Sequence, residues 1–294
     1  MLIILFYLII LCRTLKEIYK TKLPCPITSG RVLVREKKGV FQMRKFEIKQ
    51  INDHIWLLND NDEATGYVVA GEKMAMVIDT MNGLINVKEE AEKLTGLPLI
   101  CVNTHGHRDH IGGNWCFDKV YMNPKDIELA KEHLQMPELK ELWEENEYVF
   151  PEVVAVEDGQ IFDLGGLTLQ VFDVPGHTSG EIVLLDKKDR ILFTGDGTLS
   201  PLWLQLPESL SVKTQITSMQ RLQNTIRKDF DYILTGHSKA LEGAVLFDEL
   251  LEAAIALDSG DTANDEDYEW FRGVCRVHSY GNGKQIAYDE HALK

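Results

Sequence analysis

His105, His107, Asp109 and His110 place four metal-binding side chains within six residues, in the stretch Thr104-His105-Gly106-His107-Arg108-Asp109-His110-Ile111-Gly112-Gly113. Imidazole and carboxylate without thiolate suit Zn2+, and tolerate Fe or Mn. The preceding run Pro98-Leu99-Ile100-Cys101-Val102 is short and apolar, as a buried strand is. A chain leaving such a strand still extended points alternate residues the same way, so His105 and His107 share one side. Gly112 and Gly113 let the backbone pack closely as a helix begins, which turns Asp109 and His110 toward a second position nearby. The spacing predicts a loop built to hold two cations side by side. By the same alternation, Arg108 is expected to point away from them.

Three later loops add to this set. Val174-Pro175-Gly176-His177-Thr178-Ser179-Gly180, Phe193-Thr194-Gly195-Asp196-Gly197 and Leu234-Thr235-Gly236-His237-Ser238 each follow an apolar strand. Each ends in Gly beside a metal-binding side chain: the strand supplies rigidity, and Gly permits close backbone approach. Asp196 alone would read as a turn residue, and His177 or His237 alone as a satisfied histidine. Five of the nine histidines fall in the first stretch and these loops, and together they point to one metal centre. His54, His133, His278 and His291 lie outside the motifs and are expected at the surface or in strands.

The elements that must carry these loops are mostly strands. Residues 46–51, 54–58, 66–70 and 75–79 are short β runs, followed by a helix over 86–94 and the motif strand. A strand over 119–123 precedes a charged helical stretch over 124–143, interrupted at Pro137. Strands return over 153–156, 160–164, 167–174, 181–186 and 190–194. A helix over 214–228, a strand over 232–235 and a helix over 241–257 follow. An acidic loop over 258–267 is expected to be merely solvated, and residues 271–288 read as a hairpin around Gly281-Asn282-Gly283. Strand runs punctuated by single helices predict two sheets packed face to face with helices outside.

The motifs THGHRDH, PGHTSG, TGD and TGH, in that order over about residues 45–240, resemble the metallo-β-lactamase-fold superfamily, in its glyoxalase II and lactonase-like branch. The resemblance implies a four-layer αββα sandwich. It implies that His105, His107 and His177 bind one metal ion, that Asp109, His110 and His237 bind another, and that Asp196 bridges them. Val77-Ile78-Asp79-Thr80 is similar to the family's strand-end motif, whose Asp orients the metal loop; Met81 stands where the family usually has Gly. True β-lactamases of this fold lack an Asp in the bridging place, and di-iron electron-transfer relatives carry Glu where this chain has His107.

Two Zn2+ ions a few ångströms apart would lower the pKa of a shared water and polarise a carbonyl, with Asp109 as the catalytic group that holds or receives the proton. That describes a binuclear-metal hydrolase using a metal-bridging hydroxide on a small ester, lactone or thioester. The alternatives are a mononuclear-iron sulfur dioxygenase of the same fold and a metal-stabilised binding protein without catalysis.

Composition narrows the setting. The formal charge is −15, from 46 acidic and 31 basic residues, so nucleic acid is not an expected partner and a small-molecule substrate is. Cys12, Cys25, Cys101, Cys116 and Cys275 are odd in number and form no C-x-x-C pair, which fits a reducing cytoplasm. Residues 2–12 are an unbroken apolar run, too short to span a bilayer comfortably. Residues 1–42 carry eight Lys or Arg and two Glu, a local +6, so the remainder holds −21. That break sets apart an N-terminal extension, 1–42, from a domain over 43–294 that ends in the hairpin. The extension reads as a weak anchor or as sequence preceding a true start at Met43, the second being preferred. No Lys or Arg cluster marks the tail after His237, while residues 128–148 and 199–206, with Trp203, are placed to cover the site with an apolar wall. A compact, weakly charged ester or lactone is therefore expected over a glutathione conjugate, a phosphodiester or RNA.

Overall fold

A computed structural model describes residues 28–36, 40–270 and 272–294. The first sheet has eight strands in sequence order: β1 (Thr28–Glu36), β2 (Val40–Gln50), β3 (Ile55–Asp60), β4 (Ala64–Ala70), β5 (Ala75–Ile78), β6 (Leu99–Val102), β7 (Lys119–Met122) and β8 (Glu152–Ala155). Pairing is antiparallel from β1 to β5 and parallel from β5 to β8. The second sheet contains β9 (Ile161–Asp163), β10 (Thr168–Asp173), β11 (Ile182–Asp186), β12 (Ile191–Gly195), β14 (Tyr232–Thr235) and β15 (Glu242–Gly243). Its β12 and β14 run parallel, and β10 is antiparallel to β11, which is antiparallel to β12.

Side-chain alternation sorts the layers. Ile55, Leu57, Tyr67, Val69, Met76 and Ile78 turn inward and meet Val171, Leu184, Ile191 and Phe193 of the other sheet. Their neighbours Leu58, Val68 and Val77 turn outward, onto Val87 and Ala91 of helix α1 (Val87–Thr95). Asn86 caps α1 by accepting from Glu89 N, and Gly96 closes it in the left-handed conformation. On the far side, Val183, Leu185 and Leu192 pack against Ile216, Met219 and Leu222 of α5 (Val212–Thr225) and Phe247, Leu250 and Leu251 of α6 (Val245–Asp258). The order helix, sheet, sheet, helix is the αββα sandwich expected from the sequence.

Two features of the C-terminal region depart from expectation. The C-terminal hairpin is part of a third sheet, β13 (Leu202–Trp203), β18 (Lys284–Tyr288), β17 (Gly273–Tyr280) and β16 (Glu266–Trp270), in that order. The acidic loop is not merely solvated either: Asp265 accepts from Tyr288 Oη and faces His278 Nδ1 at 2.9 Å, so two side chains of that sheet hold it. The domain boundary expected at Met43 falls inside β2, and β1 pairs with β2 from Thr28 opposite Ile48 to Glu36 opposite Val40. The apolar run 2–12 lies outside the described residues. Among the described residues no helix is long and apolar enough to cross a membrane.

Candidate metal centre

Strand direction gathers the candidate ligands. β5 and β6 are parallel, so Asp79 and His105 leave the first sheet at the same edge. β10, β12 and β14 share one direction, so His177, Asp196 and His237 leave the second sheet together. The short helix α2 (Arg108–Ile111) then carries Asp109 and His110 toward the same place.

His107 Nδ1 lies 3.1 Å from His105 Nε2 and 2.9 Å from His177 Nε2. His237 Nε2 is 3.7 Å from Asp109 Oδ2, and His110 Nε2 is 3.9 Å from it. Asp196 lies between the two groups: its Oδ2 is 3.1 Å from His237 Nε2 and 3.7 Å from His177 Nε2, and its Oδ1 is 3.4 Å from His110 Nε2. All seven predicted ligands are thus brought together, in the two groups and the one shared carboxylate that the resemblance implied.

Hydrogen bonds at the far side of each ring fix what faces inward. His177 Nδ1 donates to Trp203 O, His237 Nδ1 to Glu63 O and His107 Nε2 to Glu208 Oε1. His110 Nδ1 donates to Asp79 Oδ2. Thr104 Oγ1 spends its only hydrogen on Asp79 Oδ2, so His105 Nδ1 must donate to that hydroxyl. Each ring therefore turns its other nitrogen inward, where it offers a lone pair once any proton it carries is displaced. Lone pairs converging at such distances repel unless a cation lies among them. His110 Nε2 and Asp196 Oδ1 are moreover buried without a hydrogen-bond partner. The donor set fits divalent metal.

The electrostatics agree. Burial holds His105 well below the ordinary imidazole range, with His110 and His107 adding to it, and pushes His177 down to about 4. Burial acts the same way on His110, but Asp196, Asp79 and Asp109 outweigh it and hold His110 well above 6.5. Burial would raise Asp196, yet His237 and His110 keep it well below the usual carboxylate range. Without metal, His110 keeps a proton against Asp196; a divalent cation displaces it.

Supporting residues tie the loops down. Asp79, at φ +60°, accepts from Thr104 N and Thr104 Oγ1, both at 2.7 Å, as well as from His110. Met81, where the family usually has Gly, takes φ +56°, the left-handed conformation glycine favours, with its side chain fully buried. Gly236 has no room for more: a Cβ there would sit 2.2 Å from Asp196 Oδ1. The carbonyl of Thr235 accepts from Thr65 Oγ1 and Tyr67 Oη, which anchors the His237 loop to the first sheet.

Sequence reasoning missed several contributors. Buried Asp126 accepts from Gly106 N, Thr178 Oγ1 and Gly180 N, joining the first motif to the His177 loop. Glu181 Oε1 accepts from Asp196 N at 2.8 Å. Glu208 holds His107, and His133, expected at the surface or in a strand, is buried and stacks on His107 at 4.8 Å. Glu208 and His133 carry no motif, and only the folded chain brings them to His107. Burial would raise Glu208, but His107 and His133 hold it far below the usual range.

The centre forms the floor of a cavity of about 640 Å3. Met136, Pro137, Leu199, Trp203 and Leu206 form its apolar wall, from the two segments expected to cover the site. Arg108, the first residue of α2, is among the residues lining the cavity. The tail contributes one basic residue to the lining, Arg272, and no Lys or Arg cluster.

A profile of the family described as "Metallo-beta-lactamase superfamily" matches residues 59–237, more than half of the chain. The chain belongs to that superfamily. The acyl-coenzyme A thioesterase MBLAC2 of Homo sapiens is 26% identical over 235 residues, covering 68% of this chain and 83% of its own. The hydroxyacylglutathione hydrolase of Hyphomonas neptunium is 32% identical over 175 residues, 54% of this chain and 61% of its own. In structure the chain resembles a metallo-beta-lactamase from Pontibacter korlensis at TM-score 0.57 and 22% identity, over 71% of this chain and 99% of that one. Membership of this superfamily implies divalent-metal binding, and the converging imidazoles and carboxylates are groups that could hold such an ion.

Proposed function

We propose that this hydrolase of the metallo-beta-lactamase superfamily cleaves a thioester at a centre of two Zn2+ ions. The observation that carries the reading is Asp196, whose one carboxylate reaches His177 in the first group and His237 and His110 in the second. Divalent ions held there would lower the pKa of a bound water toward neutrality and draw electron density from a carbonyl. His105, His107 and His177 hold the first position; Asp109, His110 and His237 hold the second; Asp79 orients the loop. Asp109, which burial would raise but His110 and His237 keep ionised, is the acceptor for the proton released as water attacks. The apolar wall receives the acyl chain and excludes bulk water.

A thiolate is a stable leaving group near neutral pH, so this cavity needs no strong general acid. The named relatives also favour thioesters. Together with Arg108 and Arg272 at the cavity, this reverses the preference for a weakly charged ester or lactone. The strongly negative chain keeps nucleic acid an unsuitable partner, and we place the enzyme in a reducing, cytoplasmic setting.

The test is metal content together with rates on an acyl-coenzyme A, S-lactoylglutathione, an aryl ester and a short-chain lactone. The expected result is two zinc ions at the centre and a higher kcat/KM on one of the thioesters. Asp196→Ala should lower kcat/KM by about a hundredfold or more with the fold retained. Preference for the oxygen esters refutes the substrate class. One iron per chain with oxygen uptake on a persulfide would establish the dioxygenase instead.

A further inference from the structure

The opposite edge of the sandwich carries a second group of ligand-type side chains. His54 ends the turn between β2 and β3; Asp186 ends β11, and Asp189 lies in the turn that leads to β12. One turn belongs to the first sheet and the other to the second. One ligand atom from each of the three lies within 4.8 Å of the others. Since β12 ends at Gly195, next to Asp196, and begins beside this turn, the group sits a strand's length from the metal centre.

Three observations distinguish it from an ordinary acidic turn. Asp186 is fully buried, and its Oδ2 has no hydrogen-bond partner, while Oδ1 already accepts from Lys188 N and Asp189 N. His54 Nε2 is also buried without a hydrogen bond, although it lies 2.6 Å from Asp189 Oδ2, so the ring nitrogen is not directed along the line to that oxygen. The metal centre shows the same signature, an imidazole nitrogen and a carboxylate oxygen brought close and left unsatisfied. The adjacent lysines do not neutralise the carboxylates: Lys187 Nζ pairs with Asp229 and Lys188 Nζ donates to Gly166 O. Burial holds Asp186 above the usual carboxylate range, and the charge of Asp189 adds to that, a cost a cation would remove.

We infer that His54, Asp186 and Asp189 form a separate divalent-cation site of the zinc type, which staples the two sheets together at the edge opposite the catalytic centre. One imidazole and two carboxylates are a ligand set zinc accepts, with water completing the shell. Asn52 supports it from outside: its Nδ2 donates to Asp189 Oδ2 at 2.8 Å, and its Oδ1 accepts from His54 N. The His54 and Asp189 side chains are 25% and 22% exposed, which leaves a path for the ion.

The test counts zinc on the whole chain by native mass spectrometry at saturating Zn2+, for the parent, His54→Ala and Asp189→Ala. Each variant should carry one zinc fewer than the parent, with kcat/KM on the best substrate within about twofold. The readout is the difference between parent and variant, so it stands whether the catalytic centre takes two ions or one. Equal counts in parent and either folded variant overturn the site and leave a His–Asp ion pair. Should one variant fail to fold, the other decides. An anomalous zinc peak among the three side chains would locate the ion, and its absence in zinc-soaked crystals would refute the assignment.

Discussion

Each of the five imidazoles at the centre spends one nitrogen on an acceptor and offers the other inward, so metal affinity depends on those acceptors as well as on the ligands. Glu208 is the most testable of them, because it holds His107 Nε2 with a side chain that touches no proposed ligand atom. Glu208→Ala should weaken zinc binding by about tenfold to a hundredfold, and Glu208→Gln, which still offers an oxygen, should recover most of it. Competition with a chromophoric chelator measures both; equal loss in Ala and Gln would show that charge, not orientation, matters. The convergence of the seven candidate ligands was legible in the sequence because ligand chemistry restricts residue type and strand-end glycines mark where such residues fit. Glu208, Asp126 and Glu181 were not, since a hydrogen-bond acceptor has no required spacing from the group it holds. Arg108 opens one turn of helix, so the alternation of an extended chain does not by itself set its direction.

At the scale of elements, the layers were readable wherever side chains alternate, as in β3, β4 and β5, and unreadable where pairing is remote. β13 has two residues and joins Leu202 to Ile286 and Trp203 to Ala287, a partnership no local pattern announces. The break at Pro137 was legible: α3 (Ile127–Leu134) ends before it and α4 (Pro137–Glu145) starts on it, at a position where a missing amide costs nothing. Among the described residues β1 is an edge strand that pairs with β2 alone. A chain beginning at Met43 should therefore fold, bind zinc and keep its kcat/KM, with a Tm lower by a few degrees, on the order of 1 kcal/mol for a lost edge. Circular dichroism and metal content check this. Aggregation or loss of metal would show that covering the β2 edge is essential.

At the scale of the whole molecule, protons and metal ions compete for one centre, and the competition sets how stability varies with pH. In the metal-free protein His110 is held above its unfolded value of 6.5, so its contribution is fully present below that pH and disappears as pH rises through the raised value. His237, pushed down by burial but raised to about 9 by Asp196 and Asp109, adds to this, damped by a side chain that is 35% exposed. His105 and His177 are held below 6.5, so their contribution is present above it and is lost as pH falls, toward about 4 for His177. The chelated protein should therefore be most stable near pH 6.5 and lose Tm on both sides. With zinc bound, the ions replace the proton on His110, so the alkaline loss should vanish, while the acid loss remains as protons compete for all five rings. Melts from about pH 5 to about pH 9, with chelator and with zinc, test this. A chelated protein whose Tm holds or rises between about pH 7 and about pH 9 would mean that His110 carries no such proton. Both samples share the same excess of carboxylates, so the difference between their curves belongs to the centre and not to the overall charge of −15.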